Sequence, residues 1–401
     1  MLPHSSSGLL TGQRRYDLDW LRIIAILLLH FYHTGMIFTA EWGWHIKNNE
    51  TSYVFLEWMY FLSRWRMALL FFISGVGTSY ALGFRSSCTY VKERASRLLI
   101  PLIFGMFVVV PPQIYFERLF RGQKFSSILE FYPNVFQFVP YPEGSFSWHH
   151  LWFIAYLFLY SLLALPFFLY LRSAQGKRLI NSLAKLSIYV FGLPLALAYV
   201  ALLVAFPPGN QNLISDWAMF TFYFLLFVFG YIIHTHPDFW QQIENKRKLS
   251  LKLAFISIVV INFMRWNDLE PEWSYNLPNS LYLSLNAFNS WLWVLALLGY
   301  GKHYLNRKNK LLAYANEAIY PFYILHQTFI VVIGYYAIQL QEEIMLKFIF
   351  IVVVTFFLSM GTYEFFIKPY RITRLLFGMK EKKTKPIHKE KSILISMPEQ
   401  A

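Results

Sequence analysis

Apolar residues fill this chain in blocks of about twenty, separated by short polar segments. Ten blocks can be read: 18–40, 54–83, 98–117, 148–170, 186–206, 215–235, 253–267, 279–300, 318–338 and 345–367. An unbroken apolar run of that length spans hydrocarbon as a helix, because only a helix or a closed barrel satisfies its own backbone there. The pattern therefore predicts an all-α membrane protein, a polytopic bundle of about ten transmembrane helices. Block 253–267 is short and ends in Arg265-Trp266-Asn267-Asp268. Block 54–83 is long and carries Arg64 and Arg66, so part of it is expected to lie tilted or buried against protein. The two halves show no matched broken helices of the kind found in inverted-repeat transporters.

Composition agrees with the pattern. Of 401 residues, 56% are hydrophobic, 20% aromatic and only 14% charged, with a mean hydropathy of +0.39; soluble domains carry about 25% charge. The net charge of +14 would suit nucleic acid, but its placement argues against that partner. Segments 1–17, 84–97, 171–185, 236–252, 301–310 and 368–401 hold 27 Lys and Arg, and the alternate segments hold five. By the positive-inside rule both termini are cytoplasmic. Residues 1–17 form a cytoplasmic segment without the apolar core of a secretory signal, so the first block is expected to be an uncleaved anchor. Residues 18–370 form the membrane domain. Residues 371–401 read as a basic, disordered cytoplasmic tail within reach of anionic membrane lipid. The single cysteine, Cys88, excludes an intramolecular disulfide, and no metal-ligating set is expected. The long outer segment 118–147, rich in Pro and aromatics, is expected to form a compact cap. The pattern sets no oligomeric state.

The chemistry concentrates in the first block. RRYDLDWLRIIAILLLHFYHTGMIF places Asp19 and Arg22 at its leading edge and His30 and His33 inside. Ionisable groups are expensive in hydrocarbon, so those that occur there mark function more often than elsewhere. Arg22 and His33 are eleven residues apart, which returns nearly to the same helical azimuth about 16 Å along the axis. His30 is rotated off that face. His33 either bonds a carbonyl across helices or acts as a general base. Its own helix offers no carboxylate one turn away, so any orienting acid must come from another span. Asp19 and Arg22 are either interfacial anchors or an inward anion-holding pair.

Arg64 and Arg66 lie at the depth of His33. They are about 200° apart on a helix, so at most one is expected to share a cavity with it. Ser74 and Gly75 in FFISG read as helix-packing residues. Arg94 and Arg97 are either positive-inside charge or a phosphate clamp. His149, His150 and Trp152 belong to an interfacial aromatic belt, or His150 joins His33. In ANEAIYPFYILHQTFI, Glu317 lies at the depth of Arg22 and is a candidate partner for it. His326 lies about 13 Å deeper, with Pro321 between them.

Four stretches in order resemble acyltransferase family 3, the integral membrane O-acyltransferases. They are YDLDWLRIIAILLLHFYH with its Arg22–His33 spacing; MALLFFISG; the pair Arg94 and Arg97; and HLWFIAYLFLYSLLALP from His150. ANEAIYPFYILHQ is similar to the glucan-biosynthesis-protein-C-like branch. The resemblance implies an acyl-CoA co-substrate, acetyl-CoA or succinyl-CoA, and a hydroxyl acceptor on a glycan or other extracytoplasmic molecule. It implies a multi-pass protein of the bacterial inner membrane. Many relatives have Ser-Tyr where this chain has Glu317-Ala318, so no role for Glu317 carries over from them.

Depth then divides the candidates. Arg22, Arg94, Arg97, Asp19 and Glu317 lie toward the cytoplasm, where a CoA nucleotide would sit. His33, His150, His326 and one of Arg64 or Arg66 lie toward the outer half, where transfer would occur. The rival reading is a multispan transporter or flippase of a glycan or lipid-linked substrate, which would need no CoA.

Overall fold

The computed structural model describes residues 14–209 and 211–380. Among them the secondary structure is helical throughout, apart from isolated bridges at Thr39–Ser52 and Pro140–Phe146. The main helices are α1 (Tyr16–Gly35), α2 (Tyr53–Phe84), α3 (Ser87–Phe120), α4 (His149–Leu163), α5 (Leu165–Leu171), α6 (Ala174–Ala184), α7 (Ile188–Leu202), α8 (Trp217–His234), α9 (Pro237–Asn245), α10 (Arg247–Trp266), α11 (Leu277–Tyr304), α12 (Lys310–Ala337), α13 (Ile344–Ile367) and α14 (Arg371–Leu376).

Among the described residues seven helices are long and apolar enough to cross a membrane, or nine if each of two bent pairs counts as one span. This makes the chain an integral membrane protein. Every predicted block contains a helix, but three depart from a simple span. Block 148–170 bends by 49° between α4 and α5, where Pro166 occupies the first turn after the break. Block 186–206 holds α7, which meets α6 at 113°; α6 turns only Gly176, Ile180 and Ala184 inward, the one-stripe pattern of a surface-lying helix. Helix α10 starts at Arg247, six residues before its predicted block. Helix α1 is not among the seven, because Asp17, Asp19, Arg22, His30 and His33 interrupt its apolar run.

Helix α3 illustrates how the bundle tolerates proline. It widens into π-turns at Ala95–Leu99 and Gly105–Val109. Pro101 and Pro111 supply no N–H to the carbonyls four residues earlier. Other helices and the cap supply the donors instead. The Tyr320 hydroxyl reaches the Arg97 carbonyl at 2.9 Å, and Tyr132 from the cap reaches the Phe107 carbonyl; at Val109, where the Gln113 N–H bonds Val110 instead, Thr328 reaches the carbonyl at 2.7 Å. Orphaned carbonyls in a membrane helix need such donors. They tie α3 to α12, where two of the candidate residues lie.

Helices α2 and α8 approach most closely through two glycines. A Cβ on Gly75 would overlap the Phe227 carbonyl, and one on Gly230 would overlap the Phe72 carbonyl. Gly75 is thus a packing residue, as its motif suggested. Gly75→Val is expected to destabilise the protein by about 1–3 kcal/mol or more, the usual result of overpacking. Gly83→Ala, which meets nothing within 4 Å, serves as control. Thermal unfolding in detergent checks the pair: the midpoint falls for Gly75→Val and holds for Gly83→Ala.

The start of the predicted tail is folded. Helix α14 returns to the bundle and buries Arg374, which donates to Glu317 at 3.0 Å and to the Lys380 carbonyl at 2.7 Å. Glu317 therefore pairs with Arg374 and not with Arg22. Residues 1–13 and 381–401, which hold most of the predicted N-terminal segment and tail, lie outside the described residues.

Candidate active site

Two cavities open along one seam between α1 and α2. The first, about 330 Å³, is lined by Arg14, Arg15, Leu18, Asp19 and Arg22 of the α1 end and by Ile73, Val76, Gly77, Tyr80 and Phe84 of α2. The second, about 410 Å³, takes Leu29, Tyr32, His33 and Met36 from α1 and Ser63, Arg64, Arg66, Met67 and Ala68 from α2. Trp44, His150, Trp152, Tyr199, Tyr223 and Tyr323 complete its wall, and its rim reaches Pro208 and Gln211 of the loop before α8. It thus faces the other end of the bundle. The stretch of α1 between Arg22 and Leu29, about 10 Å long, is packed shut: Ala25, Ile26, Leu69, Leu70 and Phe72 are all buried there.

In the first cavity Asp19 accepts from Arg14 at 2.9 Å and from Arg22 at 3.3 Å. Arg22 also donates to Asn316, the neighbour of the residue expected to pair with it. Its Nε is buried without a partner. Arg15 is held by Asp17 at 2.6 Å and lies over the Trp240 ring at 3.8 Å. Three arginines and one aspartate on this wall leave it net positive, as an anion site requires. Arg94 and Arg97 do not line it. Arg94 donates to Thr78 at 3.2 Å, and Arg97, within the π-turn at 95–99, donates to the Gly378 carbonyl at 3.3 Å.

In the second cavity His33 Nδ1 lies 2.9 Å from His326 Nε2, with the rings 5.1 Å apart and nearly parallel at 9°. His326 Nδ1 lies 2.6 Å from the Tyr323 carbonyl. A carbonyl only accepts, so His326 Nδ1 carries a proton. In the neutral ring its Nε2 is then an acceptor, and His33 Nδ1 donates to it. That tautomer leaves His33 Nε2 with a free lone pair, and it makes no hydrogen bond among the described residues. The partner expected to be a carboxylate from another span is therefore a histidine.

His150 stands beside this pair, 6.5 Å from His33 and 5.4 Å from His326 by ring centres. Both its nitrogens are engaged: Nε2 with the Ile324 carbonyl at 3.0 Å, and Nδ1 with Gln113 at 3.4 Å. It braces α12 and is not free to take a proton. His30 bonds the Val352 carbonyl at 3.0 Å, across helices and off the cavity.

Both arginines of α2 reach this cavity, against the expectation that at most one would. Their long side chains bend around the helix. Arg64 donates to Asn286 and lies over the Tyr60 ring at 4.0 Å. Arg66 lies over the Tyr32 ring at 3.9 Å, and that ring is 5.6 Å from His33. Arg66 is 3% exposed, yet its Nε and Nη1 have no partner. Among the described residues no Asp or Glu lines the cavity.

Sequence reasoning missed much of the wall. Trp44 comes from the loop after α1 and stacks 6.3 Å from His33 at 28°. That loop is pinned by Lys47, which donates to the Met36 carbonyl and to Thr39 Oγ1, each at 3.0 Å; burial pushes its ammonium down to about 8. Nothing in the order of residues marked Trp44 apart from the other twelve tryptophans. His45, next to it, meets Glu117 and His149, a grouping of residues 72 and 104 positions apart in the chain from His45.

The acyltransferase family 3 model, described as an acyltransferase domain, matches residues 15–364. The chain is 24% identical over 341 residues to glucans biosynthesis protein C of Escherichia coli O139:H28, covering 81% of this chain and 84% of that protein. The protein of that name from E. coli K12 is 23% identical over the same shares. That from Salmonella typhi is 24% identical, over 80% and 84%. No solved structure matches significantly. With nearly all of the membrane region matched, the chain belongs to acyltransferase family 3 and is a membrane acyltransferase.

Proposed function

We propose that this acyltransferase moves an acyl group from cytoplasmic acyl-CoA to a hydroxyl of a glycan on the far side of the membrane, with His33 as general base. The observation that carries the reading is the His33–His326 pair, which leaves His33 Nε2 unbonded in a cavity walled by Arg64 and Arg66 and without a carboxylate among its described lining residues. His33 Nε2 takes the acceptor O–H proton as that oxygen attacks the thioester carbonyl. Arg66 donates N–H groups to the oxyanion that forms. Collapse breaks the C–S bond, and the imidazolium returns its proton to the departing thiolate. The products are an ester and free CoA, with no net proton gained or lost.

The first cavity would take the CoA phosphates on Arg22, with both termini cytoplasmic as the Lys and Arg distribution implies. The slender pantetheine arm would part the Ala25–Ile26 seam to reach His33. Arg64 and Arg66, neither ion-paired to an acid among the described residues, favour a donor whose acyl group bears its own carboxylate, as a succinyl group does, over an acetyl group. The relatives' printed name supports a glucan as acceptor. Family membership removes the transporter reading. The setting would be a bacterial inner membrane.

The test is transfer of label from radioactive succinyl-CoA or acetyl-CoA to a glucan oligosaccharide by the purified protein in liposomes. Label on the acceptor, with succinyl-CoA the better donor, supports the reading; no transfer from either donor overturns it. Arg22→Met is expected to raise the KM for acyl-CoA by roughly 10–100-fold, the worth of a charged hydrogen bond. Replacing Arg94 and Arg97 together should raise it less, since both are bonded elsewhere. Steady-state kinetics against acyl-CoA concentration checks the order.

A further inference from the structure

We propose that His45, Glu117 and His149 form a binding site for a divalent cation of the zinc class, clasping three segments at the rim of the His33 cavity. The three side chains come from the loop after α1, the end of α3 and the start of α4. One candidate ligand atom from each lies within 4.8 Å of the other two. His45 Nδ1 is 2.5 Å from Glu117 Oε2, and the His45 and His149 rings stack at 4.8 Å. Two imidazoles and a carboxylate are a common zinc donor set, with water in the fourth position.

A second observation points to a ligand. His149 Nε2 is buried and has no partner, while its other nitrogen is fixed by Ser147 Oγ at 2.7 Å. A buried ring nitrogen with nothing to bind is costly, and with Nδ1–H donating to Ser147 a cation would satisfy it. Each of the three groups also has the outer partner that metal ligands usually have. His149 has Ser147. His45 Nε2 lies 3.1 Å from the Gln327 amide nitrogen, and that amide would have to turn over to offer its oxygen once Nδ1 holds the cation. Glu117 Oε1 has the Tyr141 hydroxyl at 2.7 Å and Arg121 at 2.6 Å; burial and then Glu117 push the Tyr141 hydroxyl up to about 12. The proton that His45 Nδ1 now points at Glu117 would move to Nε2 as the cation takes Nδ1. Ligand atoms at about 2.0–2.2 Å from zinc require these two side chains to part slightly and His149 to close in.

The clasp would act on the cavity through sequence neighbours. Trp44 adjoins His45, and His150 adjoins His149; both line the wall beside His33. The proposal stands apart from the acyl-transfer reading, because its readouts are metal content and stability.

The experiment uses the full chain in detergent, stripped by chelator and dialysed against zinc. One zinc per chain and a raised unfolding midpoint are expected, with both lost in His149→Ala and Glu117→Gln. Ser147→Ala, which leaves all three ligands in place, should bind zinc roughly 10–100-fold more weakly. Cobalt(II) added to the stripped wild-type protein should give the visible absorption of a low-coordinate site, a readout independent of whether any variant folds. Zinc held equally by wild type and His149→Ala would mean adventitious binding and would overturn the proposal. So would stripped wild-type protein that takes up neither metal.

Discussion

His33→Gln is expected to lower the acyl-transfer rate by about 10²–10⁴-fold, the usual contribution of a positioned general base, with little change in unfolding temperature. His33 makes one side-chain hydrogen bond, to His326, and Gln can keep it with its amide. What Gln cannot supply is the basic lone pair of Nε2. The loss should fall on kcat, because the imidazole acts as the acceptor proton leaves and not while either substrate sits in the ground state. Steady-state rates in liposomes, alongside unfolding curves, check both halves. A variant within a few fold of the wild-type rate would remove His33 from the mechanism.

Arg66→Met is expected to lower kcat by about 10²–10³-fold, as removal of one oxyanion donor does, while raising the unfolding temperature. The two signs have one cause. Arg66 is 3% exposed with Nε and Nη1 unpartnered and no acid ion-paired to it among the described residues, and a buried cation without a counter-charge is destabilising. Met has a similar length and no charge to desolvate, and it can still lie on the Tyr32 ring that Arg66 now covers at 3.9 Å. A purely structural arginine would give the opposite result, with stability falling and rate following it. If Arg66 also meets a donor carboxylate, the rate with succinyl-CoA should fall further than the rate with acetyl-CoA. Comparing the two donors in one preparation checks this.

Much of the scaffold was legible because lipid restricts the choices. A run such as 345–367 can only be a helix there, and it is one. The Arg22–His33 spacing fixed a shared face on α1 before any partner was known, and the two cavities lie along that face. Gly75 was readable as a packing residue because small residues in apolar helices mark close approach.

What failed depended on other helices. Glu317 sits at the depth of Arg22, but depth alone does not choose among cations at that level; the fold-back of α14 brings Arg374 to it. Ideal helical angles put Arg64 and Arg66 on opposite sides, yet side chains of that length reach around the backbone. His150 and His326 look alike in the sequence. Only their hydrogen-bond partners show that His150 is held between Ile324 and Gln113 while His326 orients His33. Helix α1 itself falls outside the set of apolar spans because the groups that make it chemically useful interrupt its apolar run.

The account rests on two imidazoles acting as one unit. The most direct test is the acyl-transfer rate of His33→Gln, His326→Asn and the double replacement, measured side by side at saturating acyl-CoA. If His326 works only by holding His33, the double replacement loses no more rate than His33→Gln alone. Losses that multiply in the double replacement would mean that the two rings act separately, and the tautomer argument would fail with them.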